Sequence, residues 1–386
     1  MRYLTLSRTA PLMLSLAAAV AVAVPAAASA STQESPVTGQ VYVNDNTTGT
    51  NTIGVFDRHA DGTLTPETGS PFTAGGAGTG TGLASQGALQ ISPGGRFLIA
   101  ADAGSNQISV LRIDGGTLRL VRGGVVSSGG VLPVSIAIHQ NLVYVANAGT
   151  PTGGSNYTGF RLGRYGHLHP VAGSTVALPD GSQPGDVLFN STGTKLAGTR
   201  VGTSLIDSFT VGSAGRLTAA PGSPFTAQGL GPFGSQFRPT NPGQLFVSNA
   251  HNAGTGTISA FRDSANGSLS PIGSSPFADQ QTAPCWVEIS HDGRFLFTVN
   301  TGSGSISRYF ITPGGTLKLL GSTPVRGTAV GAVDERLSPD GRTLYVDEAA
   351  AGAVAAFAVH DGSLTELASS PTPLPAGATP AGIVVT

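Results

Sequence analysis

Cysteine is almost missing from this chain: Cys285 is the only one in 386 residues. No intramolecular disulfide is available, so stability has to come from packing. Tryptophan also occurs once, as Trp286, and only 11% of residues are charged. The 20 basic and 21 acidic residues nearly cancel, which argues against a nucleic-acid or anionic-membrane partner. Beyond the first thirty residues no apolar run approaches the length of a membrane span. There is no Walker, H-E-x-x-H or G-x-S-x-G motif, and the acidic residues are too scattered for an EF-hand-like calcium loop. No cofactor and no metal are therefore expected. The one close histidine pair, His167 and His169 in GRYGHLHPVAG, is read as solvent-facing on an outer strand, with metal binding the lesser alternative. Cys285 is read as a small buried filler rather than a nucleophile.

The N-terminus carries Arg2 and Arg8, an apolar run from Pro11 to Val24, and the small residues Ala28, Ser29 and Ala30. That is the pattern of a Sec signal peptide cleaved after Ala30. A secreted, extracellular protein without a membrane span is expected, with residues 31–39 as a short linker. Cleavage would remove two arginines and no acids. Nothing suggests an oligomer, and a monomer is expected.

Glycine, by contrast, is abundant at 56 residues, and proline reaches 26. These residues fall in a repeat. A motif of two apolar or aromatic residues followed by a small or polar pair begins at Tyr42, Leu98, Tyr144, Leu196, Phe246, Phe297 and Tyr345, at intervals of 56, 46, 52, 50, 51 and 48 residues. Unrelated strands would not keep step in this way. In the sixth copy four segments are plain: APCWVEIS from Ala283, HDGRFLFTVN from His291, SISRYFI from Ser305 and GTLKLLG from Gly315. Each is short, β-branched or alternating, and bounded by turn residues, with no competing helical period.

Seven repeats of four antiparallel strands predict an all-β, seven-bladed β-propeller over residues 40–386. An open ring would leave a sheet edge unpaired. The chain enters at Gln40 in a second strand, whereas Thr379 to Val385 resembles a first strand. The C-terminal strand is therefore expected to join the N-terminal blade.

The tyrosine-valine-small-asparagine run Tyr144–Asn147 and the S-P-D-G-R run from Ser338 resemble YVTN-type propellers. The longer pattern ending in G-S-P-F, at Gly62 to Phe72 and Gly215 to Phe225, resembles the lactonase propeller family, which includes 6-phosphogluconolactonase and carboxymuconate-lactonising enzymes. The resemblance implies lactone chemistry, with histidine and arginine just after the proline that opens certain innermost strands. The corresponding positions here read Pro184-Gly185-Asp186 and Pro232-Phe233-Gly234 and supply neither.

In a propeller the innermost strands converge on the channel, so polar residues there are the site candidates. Aligning those strands places Gln90, Gln236, Glu288 and Arg336 in one slot, and Asp186, Trp286 and Asp334 in another on the same face, with Glu335 between. Glu288, Arg336 and Asp334 are the catalytic candidates: an arginine as oxyanion contact with a carboxylate as general base. The alternative is an Arg336–Glu288 ion pair holding two blades together. Trp286, Asp186, Gln236, Gln90 and Glu335 are candidate ligand contacts, for a small molecule or a glycan. Two functions stay open: a secreted lactonase acting on a sugar- or aromatic-acid-derived lactone, and a non-catalytic propeller serving as a binding scaffold.

Overall fold

Short β-branched segments punctuated by Asp-Gly and Gly-Gly turns can satisfy their backbone groups only by pairing sideways, and here they do so seven times over. The computed structural model describes residues 35–250, 255–327 and 331–386, together with Met1 and Leu4. Apart from those two residues, the expected export segment lies outside the described residues. Seven antiparallel sheets account for the strands, and the described helical structure is one 3-10 turn, Ala103–Ser105. No described helix is long and apolar enough to cross a membrane.

The innermost strands are Leu89–Ile91, Pro133–His139, Pro184–Phe189, Pro232–Arg238, Pro284–Ile289, Ala332–Leu337 and Ile383–Val385. In the sixth blade the others follow outward as Phe295–Asn300, Ser305–Ile311 and Leu317–Pro324, as its sequence segments predict. The strand Val37–Asn44 starts three residues before Gln40, so chain assigned to the linker is already paired, with Gly39 opposite Arg58. Two repeat starts also shift. Gln90 pairs with Ile99 as Arg336 pairs with Tyr345, and Leu188 pairs with Ala197. Ile99 and Ala197, rather than Leu98 and Leu196, therefore hold the aromatic position of the motif.

That position explains the motif. Tyr42, Tyr144, Phe246, Phe297 and Tyr345 are fully buried. Tyr144 donates its hydroxyl proton to the Gly215 carbonyl at 2.7 Å and Tyr345 donates to Gly62 at 3.0 Å, each reaching the hairpin turn of the following blade. The G-S-P-F serine has a separate duty. In five blades the outer strand is broken by a turn, and the third strand's free N–H is satisfied by a serine hydroxyl: Val55 on Ser70, Gly159 on Ser174, Ser208 on Ser223, Ala260 on Ser275 and Ala356 on Ser370, at 2.7–3.1 Å. An unpaired buried N–H would otherwise be costly.

A polar residue ends the second strand of six blades, Asp102, Asn147, Arg200, Asn249, Asn300 and Glu348, and Asp45 directly follows that strand in the first blade; all are buried. The asparagines tie to the third strand, as Asn147 does to Asn156 at 2.9 Å and Asn300 to Ser307 at 2.9 Å. Arg200 grips Asp207 with two hydrogen bonds. Burial pushes Asp45 up to about 7 against the opposing Thr52 hydrogen bond, and pushes Asp102 up to about 6 against Ser109 and Asn51.

The ring closes as the sequence predicts. Val41, Tyr42 and Val43 pair with Val385, Val384 and Ile383. The pairing is extended by Thr386 N–H to Gln40 at 2.9 Å, Asn44 N–H to Gly382 at 3.0 Å and Ala381 N–H to Asn44 at 2.9 Å. A side chain at position 39 would collide with the Thr386 carbonyl, so glycine is required there.

Two outcomes are expected. Deleting Pro380–Thr386 should destabilise the whole propeller cooperatively, and an unchanged melting curve would contradict the closure. The aspartates at the strand ends have folded pKa values above the unfolded value, so the folded state binds more protons between about pH 4 and pH 7, and stability falls as pH rises through that window. The melting temperature should therefore be lower at pH 8 than at pH 5. The Asp45→Asn, Asp102→Asn double variant, which installs the residue three other blades already use, should flatten that slope; a melting temperature that rises with pH would contradict the assignment.

Candidate functional site

Strand alternation decides what reaches the axis. The inner strands of blades three to seven each carry an irregularity near their start, between Pro133 and Ser135, Pro184 and Asp186, Pro232 and Ser235, Pro284 and Trp286, and Val333 and Glu335. Such bulges re-aim the side chains that follow. Where the inner strands end, they enclose a cavity of about 290 Å³ bordered by Gln90, Asp186, Ser235, Gln236 and Arg336.

The floor of this cavity is a feature that sequence alignment of the strands did not anticipate. Before entering its inner strand, the second blade sends Leu83–Ala88 across the channel. Gln86 donates its amide N–H to Ser235 O at 3.3 Å and Val287 O at 3.2 Å, and its side-chain oxygen accepts Val287 N–H at 3.0 Å. Its backbone N–H meets Gly185 O at 3.0 Å. Gly87 donates to Asp334 at 3.2 Å and accepts from Ile136 at 2.9 Å. Trp286 donates its indole N–H to Ser85 O at 2.7 Å. One strap therefore bonds to the inner strands of blades three to seven. Gly87 is in the left-handed region at φ 79°, and a side chain at Gly234 would overlap Gln86. On the other side of the strap lies a second, less polar hollow of about 190 Å³ against Leu83, Leu132, Pro184 and Val201. The signal for the strap was the first repeat interval, the longest of the six.

Asp186 is 3% exposed and borders the cavity. Its carboxylate accepts Ser135 Oγ at 3.1 Å, Ser235 N–H at 2.9 Å and Ser235 Oγ at 2.6 Å. Burial outweighs these bonds and pushes it up to about 7. Asp334, under Gly87 and joined by the Glu335 N–H at 2.9 Å, is pushed up to about 6 by burial, with Arg336 opposing. Arg336 pairs with Glu288 at 3.1 Å and is 24% exposed. Burial works to lower it, but Glu288, Asp334 and Asp186 together raise it. Glu288 also accepts Gln236 Nε2 at 3.3 Å and Leu337 N–H at 3.1 Å.

The sequence candidates thus separate. Gln90, Asp186, Gln236 and Arg336 share the cavity. Glu288 and Asp334 do not border it: the first anchors Arg336 across two blades, the second holds the strap. Trp286 is core, set edge-on to Phe233 with ring centres 5.2 Å apart and its N–H spent on the strap. Glu335 is buried away from the cavity, and neither carboxylate oxygen has a hydrogen-bond partner. Burial first, then the nearby Glu288 and Asp334 charges, holds it well above the usual carboxylate range. Cys285 is buried, its thiol pushed up to about 11, and is no nucleophile. Among the described residues no group of three His, Cys, Asp or Glu is placed to hold a metal ion. Ser135 and Ser235, which hold Asp186, and the strap residues Gln86 and Gly87 are not among the candidates drawn from the sequence.

With this geometry in place, the family relationship can be stated. A candidate 6-phosphogluconolactonase from Bacteroides uniformis has a similar structure, with a TM-score of 0.72 at 19% identity over 90% of this chain and 98% of that one. The periplasmic gluconolactonase PpgL of Pseudomonas aeruginosa reaches 0.69 at 18% identity, covering 90% and 98%. A Lactobacillus plantarum protein reaches 0.71 at 20%, covering 89% and 98%. At these identities the likeness is one of fold. No curated protein matches the chain. The model of the lactonase seven-bladed β-propeller matches residues 46–155 and 236–378, and on that match the chain belongs to the lactonase propeller family.

Proposed function

We propose that the cavity above the strap hydrolyses a lactone, with Asp186 as general base and Arg336 as the contact for the carbonyl oxygen. The observation that carries this reading is that one cavity holds both a carboxylate raised to about 7 and an arginine whose guanidinium is only partly committed to an ion pair. Near neutral pH such a carboxylate is divided between its two forms and suits proton transfer, the condition under which a positioned base is worth about 10²- to 10⁴-fold in rate. Water attacks the lactone carbonyl as Asp186 takes its proton, and the negative charge developing on oxygen is met by Arg336. Collapse breaks the ring C–O bond, and the proton passes to the departing hydroxyl oxygen, leaving a hydroxy acid. Ser135 and Ser235 hold the carboxylate in place, and Gln90 and Gln236 offer hydrogen bonds to hydroxyl groups, which favours a sugar-acid lactone. The N-terminal pattern of Arg2 to Ala30 supports an exported protein and therefore an extracellular substrate.

Purified protein is expected to open at least one member of a panel of aldonic, uronic and aromatic-acid lactones. Asp186→Asn should lower kcat by about 10²-fold or more, with KM changing little. Arg336→Ala should lower kcat and raise KM together. Because Asp186 must be ionised to act, kcat/KM should climb with pH and level off above about 7. Absence of turnover on every lactone, with the protein folded, would overturn the proposal and return the chain to the binding-scaffold reading.

A further inference from the structure

The outer rim of blades two and three carries a second concentration of chemistry, unconnected with the channel. Arg112 and Arg119 stand directly opposite each other on neighbouring strands. Arg122 follows on the same outer strand, Thr117–Ser127, which at 11 residues is the longest among the described strands. Like charges placed opposite one another on a sheet repel. None of these three guanidinium groups has an ion-pair or hydrogen-bond partner among the described residues, whereas Arg58, Arg161, Arg200, Arg238 and Arg336 all do. Asp114, two residues beyond Arg112, forms no ion pair with them.

The three arginines border an open groove of about 340 Å³ whose other walls are Leu120, Val121, Tyr165 and His167. Tyr165 comes from the neighbouring blade and is 61% exposed, and Leu120 is 40% exposed. The hairpin that carries Tyr165 is held in place: Gly163 N–H bonds to His167 O at 2.8 Å, and Gly166 lies so close to Phe97 and Val121 that no side chain would fit. The Arg164 guanidinium stacks over the Tyr165 ring at 4.3 Å from its centre. An exposed aromatic ring therefore shares a groove with a row of uncommitted cations, on a chain whose overall charge is −1.

Charged side chains on an outer strand also guard against edge-to-edge pairing. A guard, however, needs neither a groove nor an exposed ring beside it. Guanidinium forks match carboxylates two bonds at a time, and an aromatic face with apolar neighbours suits the apolar face of a pyranose ring. An open groove, unlike an enclosing pocket, accommodates a chain that runs on past both ends. We propose that this groove binds an acidic polysaccharide of uronic-acid units, carboxylates on Arg112, Arg119 and Arg122 and a sugar ring on Tyr165. An acidic peptide paired along the strand edge would use the arginines but not the ring.

Calorimetric titration at low salt with a uronic-acid oligosaccharide, its neutral counterpart and poly-glutamate of matched charge separates these. The uronate oligomer is expected to bind, the neutral one not, and poly-glutamate at least tenfold more weakly. The Arg119→Ala, Arg122→Ala pair should weaken uronate binding by tenfold or more, and Tyr165→Ala by several-fold. These positions are exposed, and unchanged melting temperatures together with unchanged channel-site lactone turnover would show the variants intact. Absence of uronate binding, equal binding of poly-glutamate, or no effect of Tyr165→Ala would each overturn the proposal.

Discussion

Every other feature of this propeller depends on the pairing of Val41–Val43 with Ile383–Val385. With a single cysteine there is no covalent clasp, and the ring is held shut by backbone hydrogen bonds between residues more than three hundred positions apart in sequence. Only a closed ring brings seven inner strands to one axis, and only convergence gives polar residues from different blades common neighbours. The interblade contacts reinforce that geometry: buried tyrosines reaching the next hairpin, Lys195 on Asp263 at 3.0 Å, and Arg238 on the Gly293 and Thr312 carbonyls at 2.7 and 2.9 Å.

Convergence alone would leave a channel open along its length. The strap Leu83–Ala88 prevents this by placing Gln86 among backbone groups of three inner strands, its side chain on Ser235 and Val287 and its backbone N–H on Gly185. That arrangement desolvates Asp186 and Asp334 without giving either a direct cation, which is why both titrate above the normal carboxylate range while staying hydrogen-bonded. Glu288 does have a direct cation: it is consumed by Arg336, Gln236 and a backbone N–H. The charged constellation is thus divided, with structural work on one side of Arg336 and an accessible cavity on the other.

Much of this was legible in the sequence because repeats average out local ambiguity. Blade number, strand order and closure followed from seven evenly spaced motifs and one C-terminal segment with the pattern of a first strand. Two motif starts were read one residue early, since Leu98 and Leu196 are as apolar as their neighbours and only pairing fixes the register. Gln90, Asp186, Gln236 and Arg336 were found by strand alternation, which is physical and transferable. Trp286 was assigned to the ligand by the same rule, and Glu335 by its place between Asp334 and Arg336, and both lie elsewhere. A loop 200 residues away in sequence covers the tryptophan, and the irregularity between Val333 and Glu335 coincides with Glu335 leaving the channel face. Strand periodicity carries no information about a loop that crosses the axis.

Membership of the lactonase family and the absence of histidine and arginine after Pro184 and Pro232 make a specific contrast. Pro184 borders the hollow with Leu132 and Val201, and a side chain at Gly185 would meet Val201, whereas Asp186 and Arg336 border the cavity with Gln90 and Gln236. Crystals soaked with an aldonic acid, the product of sugar-lactone opening, test this division most directly. Density for the acid is predicted between Asp186 and Arg336 with Gln90 and Gln236 in contact. Density confined to the hollow at Pro184 and Val201 would contradict it.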